Sequence, residues 1–340
     1  MELGLTSFAE THPDPMNGEA MSHGERLRNV IAEVEKAEEV GLHVYGLGEH
    51  HRIDMAGSAP AITLAAAAAR TERIRLSSAV IVLSSADPVR TYQDFATLDL
   101  ISSGRAELMV GRGSFIESFP LFGYSLDDYD DLFTEKLELL IQVRDHERVT
   151  WSGQFRPPLD NQAVYPRSQQ DPLPIWVAVG GTPSSMVRAG RLGLPVALAI
   201  IGGDPTRFAV LADLYRQSLV EGGHDPEEIP LAVHGLGYIA DGNEEAAEEI
   251  YPSFAATMTR IGRERGWPPL TRDQFDWMRS PEGSLVVGTP ETVATKILLW
   301  KEILGISRFM LHHAGTVPHD KSLRSIEYLG TKVAPIVNAA

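Results

Sequence analysis

Short apolar runs rich in β-branched residues recur along the chain, separated by stretches whose apolar positions repeat at helical spacing. Eight such runs read as strands: Glu2–Phe8, Val44–Gly48, Ile74–Leu83, Ala106–Val110, Ile175–Val179, Leu194–Ile201, Leu231–Ile239 and Ile306–His312. Most lack the apolar–polar alternation of a half-exposed strand, so they belong to a sheet covered on both faces. Between them the pattern predicts helices over His23–Val40, Pro60–Arg70, the segment opening at Pro88, Asp128–Val143, Pro205–Glu221, Glu244–Glu264, Thr289–Leu304 and Ser322–Val337. The first carries Leu27, Val30, Ile31, Val34, Ala37 and Val40 on one stripe and stops at Gly41.

Eight buried strands alternating with helices define an α/β fold, a single (β/α)8 TIM barrel over residues 1–340. An open dinucleotide-binding sheet is excluded, because no GxGxxG comes after the first strand. Two segments break the rhythm and read as insertions on βα loops, about 150–171 and about 240–285. The first, Thr150–Asp171, reads as an excursion with a hairpin; Trp267–Pro281 reads as irregular and mobile. Such loops are where barrels keep lids and substrate pockets.

Composition narrows the class of function. The 340 residues are 43% hydrophobic, contain no cysteine and carry a formal net charge of −16. The charge argues against nucleic-acid binding through a broad surface. The missing cysteine removes disulfides and thiolate metal sites, and cytoplasmic residence is the simplest expectation. No apolar run is long enough to span a membrane, and no signal-peptide layout opens the chain.

In a barrel the working end is made by the residues just after each strand. Those positions hold Glu49-His50-His51, Arg112 between two glycines, the turn Gly180–Ser185 and His312-His313. Within PIWVAVGGTPSSMVRAG, the strand Ile175–Val179 runs into Gly180 and Gly181, and Thr182-Pro183 reads as a helix cap and first turn. Ser184 and Ser185 add hydroxyls there. Such a turn is either an ordinary capped strand-to-helix connection or an anion site, most often for phosphate. Arg112, ending the neighbouring strand, supplies the planar cation that phosphate prefers and favours the anion site. Glu49, His50, His51, His312 and His313 could in principle hold a divalent metal. Adjacent histidines on a strand point to opposite faces, however, so at most one of each pair faces the mouth. A neutral His50 or His51 serving as a hydrogen-bond or proton donor is the better expectation, with no metal.

Taken in order, GLGEHH (46–51), SSAVIVLSSADPVR (77–90), LDLISSGRAELMVGRG (98–113), VAVGGTPSS (177–185), VGTPETVATKI (287–297) and LRSIEYLGTKVAP (323–335) resemble the bacterial luciferase-like family of flavin monooxygenases and deazaflavin-dependent oxidoreductases. The resemblance implies a barrel that binds reduced FMN and uses O2. It further implies that Arg112 binds the flavin phosphate with Gly181, Thr182 and Ser185, although the luciferase carries a glutamate where Gly181 stands; Val179, Gly180 and Ser184 of the same turn are taken as cofactor-binding with them. His50 matches a catalytically important histidine. Ala79–Val80 matches a non-proline cis peptide bond, with Ser78, Ala79 and Val80 against the flavin ring. Gly111 and Ile200 stand where the luciferase has a cysteine and an aromatic residue, so light emission from long-chain aldehydes is not implied.

The expectation is therefore a monooxygenase that takes reduced FMN from a separate, transient flavin reductase and acts with O2 on a small organic substrate. The pocket would lie under the Thr150–Asp171 and Trp267–Pro281 segments. A homodimer through helices near the second and third strands is a further family expectation. The alternative within the fold is a deazaflavin-dependent hydride-transfer enzyme. Outside it stand a metal-dependent barrel hydrolase and a non-catalytic flavin-binding protein.

Overall fold

The computed structural model describes residues 1–13 and 18–339. In chain order the strands are β1 (Glu2–Ser7), β2 (Val44–Leu47), β3 (Arg75–Ser78), β4 (Ile81–Val82), β5 (Ala106–Gly111), β6 (Arg148–Trp151), β7 (Leu159–Ala163), β8 (Ile175–Val179), β9 (Val196–Ile200), β10 (Leu231–Ile239), β11 (Val286–Gly288) and β12 (Arg308–His313). The helices are α1 (His23–Glu39), α2 (Pro60–Ala68), α3 (Pro88–Ile101), α4 (Ser118–Phe122), α5 (Tyr129–Asp145), α6 (Pro183–Arg191), α7 (Ala209–Glu221), α8 (Asn243–Arg265), α9 (Arg272–Arg279), α10 (Pro290–Leu304), α11 (His319–Tyr328) and α12 (Ala334–Ala339).

Strands β1, β2, β3, β5, β8, β9, β10 and β12 pair in parallel in that order, and β12 returns to β1 to close the expected (β/α)8 barrel. Period-two alternation sends Leu3, Leu5, Leu76, Leu108, Val110, Phe309 and Leu311 outward into the main helix-packed core. Val44, Met109, Trp176, Ala197, Ala232 and Met310 form a separate cluster that fills the barrel's middle.

Three expectations are corrected. The run Ile74–Leu83 is not one strand: Ala79–Val80 is a cis peptide bond that separates β3 from β4, and each piece pairs with β5. Trp267–Pro281 is not irregular throughout, because Thr271 and Gln274 form a reciprocal capping box that starts α9. The closing helix is broken by a π-turn at Leu329–Val333 between α11 and α12. The hairpin within the first insertion is present as antiparallel β6 and β7. It does not cover the barrel mouth. Arg156 pairs with Asp87 at the start of α3, and Glu135 of α5 accepts from Gln154 and Phe155, which ties the hairpin to the outer helices. Among the described residues no helix is long and apolar enough to cross a membrane.

Candidate active site

The C-terminal ends of the strands surround a pocket of about 260 Å3. Its deep wall is Met109, Ala178, Ala197, Ala199, His234 and Met310, and its rim includes Arg112, Gly180 and Thr182. Small side chains on β8 and β9 leave the space that larger ones would fill.

The bulge at Ala79–Val80 forms one side, and glycines in two of the sequence motifs make room for it. A Cβ on Gly46 would lie 2.8 Å from Ala79 Cβ, one on Gly48 2.7 Å from the Ala79 carbonyl oxygen, and one on Gly111 2.9 Å from Val80 Cγ2. Glu49 staples the bulge. Its backbone N–H donates to the Val80 carbonyl, and its Oε2 accepts from the Val82 N–H at 2.9 Å. The other carboxylate oxygen lies 2.7 Å from His51 Nε2.

Of the residues singled out by sequence, His50, Ala79, Val80, Arg112, Val179, Gly180 and Thr182 line this one pocket. Ser78, Gly181, Ser184 and Ser185 stand outside the lining. Ser78 is buried and exchanges hydrogen bonds with the Met109 backbone, its Oγ donating to the carbonyl at 2.7 Å and accepting from the N–H at 2.9 Å. Thr182 occupies the cap position of α6, but its hydroxyl does not cap the helix; it accepts from Arg112 Nη2 at 2.8 Å. Arg112 also pairs with the exposed carboxylate of Asp130.

Near Arg112, over the Phe133 ring and outside the pocket lining, lies a second cation that sequence reasoning missed. Burial, with help from nearby Arg112, holds the Arg188 guanidinium below its ordinary range, and its Nη1 is buried without a partner among the described residues. Two neighbouring guanidiniums, one of them incompletely bonded, fit an anion. Arg188 lies one turn beyond the GGTPSS motif, where helical periodicity brings it back to the same side.

Across the pocket His50 packs edge-on against Phe8, ring centroids 4.5 Å apart, and against Phe115 at 5.3 Å. Burial pushes its pKa down to about 4, with His312 assisting and Glu10 opposing, so the ring is neutral near pH 7. His51 lines the pocket as well, contrary to the one-of-each-pair expectation, because β2 ends at Leu47 and residues 48–51 no longer alternate. The second pair does alternate. His312 turns inward, with Nε2 2.7 Å from Glu10 and Nδ1 3.2 Å from Thr6 Oγ1, while His313 turns outward to Ser322 and Ser325. These commitments divide the histidines between different carboxylates and hydroxyls. Among the described residues no group of three His, Asp or Glu side chains is arranged to hold a metal.

The cover comes from the segment after β5 and from the end of α8. Arg265 donates to the Ser114 carbonyl at 3.1 Å and lies over the Phe115 ring. Arg52 pairs with both Glu117 and Glu264. Phe115, Glu117 and Ser118 line the pocket, whereas no residue of 150–171 or 267–281 does so. A larger cavity of about 740 Å3 lies beyond the Phe8–His312 wall. Its acids are engaged within it, buried Glu33 by Arg26 and Tyr45, and half-buried Glu249 by Tyr238 and Lys321.

A closed parallel barrel with an apolar pocket at its C-terminal mouth, Arg112 on the rim and a neutral His50 opposite has the layout of a barrel enzyme's site. The model of the luciferase-like monooxygenase family matches residues 1–307, and the chain belongs to that family of flavin-dependent oxidoreductases. The monooxygenase RslO1 from Streptomyces bottropensis is 26% identical, superposes with a TM-score of 0.85 and is matched over 100% of both chains. The oxygenating constituent of 3,6-diketocamphane monooxygenase from Pseudomonas putida, in complex with FMN, shares the fold at 19% identity with a TM-score of 0.80, over 98% of each chain. An F420-dependent glucose-6-phosphate dehydrogenase from Kineococcus radiotolerans is 32% identical over 166 residues, 46% of this chain and 48% of its own.

Proposed function

We propose that the protein is an FMN-dependent monooxygenase that receives reduced FMN from a separate reductase and oxygenates a small organic substrate with O2. The observation that carries this reading is the placement of the Arg112–Thr182 rim at one end of a pocket whose side is the Ala79–Val80 bulge and whose opposite wall holds neutral His50. Arg112, Thr182, the Gly180 turn and Arg188 would hold the phosphate, and Ala79 and Val80 would support the ring. Reduced FMN, when bound, supplies the electrons that activate O2. His50 would present a neutral imidazole to the reacting molecule, able to donate at one nitrogen and accept at the other. Phe8, Met109, Phe115 and Met310 exclude water.

The rival cofactor is F420, used by relatives in the same family. Its longer and more anionic tail suits this mouth less well, because Asp127, Asp128, Asp130 and Asp131 crowd the start of α5 beside Arg112. Titration of the purified protein with FMN, reduced FMN and F420 tests the choice, and tight F420 binding with none of FMN overturns it. Arg112→Ala should weaken FMN binding by about tenfold or more without lowering the melting temperature, since a charge-assisted hydrogen bond is removed.

We also propose a homodimer through the face of α2, where Ile62 is 74% exposed on an alanine-rich helix. Sedimentation of wild type and Ile62→Glu checks it; equal masses at the monomer value refute it.

A further inference from the structure

Strand β10 sends into the pocket a polar side chain to which the phosphate rim and the His50 wall give no role. His234 pairs in register with Ala199 on one side and Met310 on the other, and all three line the deep wall. Its ring centroid stands 6.0 Å from Phe8 and 5.2 Å from His312. The side chain is 8% exposed, and its Nε2 is buried with no hydrogen-bond partner among the described residues. The neighbouring histidines differ: His312 is bonded to Glu10 and Thr6, and His51 to Glu49.

A buried imidazole nitrogen with no partner costs stability, and an apolar residue of similar size would pack beside Ala199 and Met310 without that cost. A polar residue kept at such a place is explained by a partner that arrives with the ligand. The surroundings set the character of that partner. Burial pushes the His234 pKa down to about 3, with His312 adding to the effect and Glu10 opposing it, so the ring enters the pocket uncharged. The remaining deep wall is methionine and alanine, which offers nothing to an ion. The cationic rim already accounts for the charged end of a bound molecule.

We propose that His234 is a ligand-contact residue, donating a hydrogen bond from its imidazole to a carbonyl-type oxygen on the uncharged part of a bound molecule. That oxygen belongs either to the flavin ring or to the organic co-substrate, and the inference rests on the proposed flavin function. His234 thereby selects ligands that present a neutral acceptor at the bottom of the pocket.

The test is a pair of binding titrations on wild type, His234→Phe, His234→Leu and His234→Gln, each checked for a melting temperature no lower than that of wild type. FMN is titrated into the protein first. Cyclohexanone and octanal, as neutral carbonyl probes, are then titrated into the FMN-loaded protein and monitored by the flavin absorbance. Loss of one buried hydrogen bond should weaken one of the two steps by about tenfold in the Phe and Leu variants, with the Gln variant within about threefold of wild type. Weakening at the FMN step assigns the oxygen to the flavin ring, and weakening only at the carbonyl step assigns it to the co-substrate. The inference is overturned if neither step separates the Phe and Leu variants from wild type. Failure of the wild-type protein to bind any flavin is a different result, seen before variants are compared, and it refutes the flavin reading and this inference with it.

Discussion

At the floor of the barrel, Arg308 is 3% exposed and fully engaged: Nη1 and Nη2 donate to Glu107 at 2.6 and 3.0 Å, and Nε donates to Glu2 at 2.7 Å. Its guanidinium lies 4.3 Å over Trp176, and Arg75 pairs with both glutamates. Toward the mouth, by contrast, His234 Nε2 in the pocket and Arg188 Nη1 near Arg112 are buried with no hydrogen-bond partner among the described residues. Both ends bury polar groups in the same barrel. Apart from Arg75 Nε, which faces Glu107 at 3.1 Å without a hydrogen bond, the floor's charged groups bond to one another, while the mouth leaves His234 open to the pocket and holds His50 and His234 uncharged. That difference separates structure from function more sharply than burial does.

The two ends should fail at different pH values. Burial places the folded-state pKa of His50 and His313 at about 4 and of His234 at about 3, against an ordinary 6.5. Folded, these rings bind fewer protons than unfolded, so the stability they confer is present above 6.5 and is lost as pH falls from there toward the folded values. At the floor Glu2 titrates lower: burial raises it, but Arg308 and Arg75 hold it below the ordinary 4.5. Its contribution is lost only on further acidification. Urea unfolding between pH 7.5 and 4.5 should show a loss of several kcal/mol, carried by the histidines, because each tenfold difference in proton affinity between the folded and unfolded chain is worth about 1.4 kcal/mol. A stability flat to pH 4.5 would mean the mouth histidines are not held neutral.

Breaking the floor tests the other half of the contrast. Arg308→Met leaves buried Glu107 with only the half-exposed Arg75 beside it, so the loss should approach the roughly 3–5 kcal/mol that removing one partner of a buried pair costs. Removing Glu107 as well, in Glu107→Leu with Arg308→Met, should recover much of that loss. Chemical denaturation of the single and double variants measures both. FMN affinity of the folded fraction should be unchanged, since the floor does not touch the pocket.

The same division explains which features are legible in the sequence. Short continuous apolar runs set between helical patterns mark the eight barrel strands, because burial on both faces leaves no polar alternation. Arg112 and the Gly180–Thr182 turn stand out for the chemistry of arginine and glycine at strand ends. Arg188 and His234 do not. A lone histidine inside LAVHGLGYI is indistinguishable by pattern from a packed one, and its missing partner is a fact of tertiary structure. The hairpin at β6 and β7 is readable from its residues, but its docking on α3 and α5 depends on the pairs Arg156–Asp87 and Glu135–Gln154, which lie far apart in the chain. The break between β3 and β4 is invisible to periodicity and is implied only by the family resemblance.

A smaller effect probes the bulge that the mouth is built around. Gly48→Ala would bring a Cβ within 2.7 Å of the Ala79 carbonyl oxygen and 2.5 Å of Phe8 Cδ1. Relief requires moving the bulge or Phe8, which also touches His50, His234 and His312. A stability loss of about 1–3 kcal/mol is expected from such overpacking. FMN affinity should fall along with it, unlike the floor variants. Retained affinity in Gly48→Ala would separate the bulge from flavin binding.

The smallest effect concerns the rim cation Arg112, whose charge is already met. Asp130 is exposed and pairs with Arg112, so a bound phosphate must share that guanidinium with it or displace it. Exposed ion pairs are worth about 0–1 kcal/mol. Asp130→Asn should therefore tighten FMN binding by up to about fivefold at low ionic strength, with the gain shrinking as salt screens the carboxylate. Riboflavin, which lacks the phosphate, should gain nothing from the same substitution. Equal gains for FMN and riboflavin would show that Asp130 acts on the pocket as a whole and not on the phosphate rim.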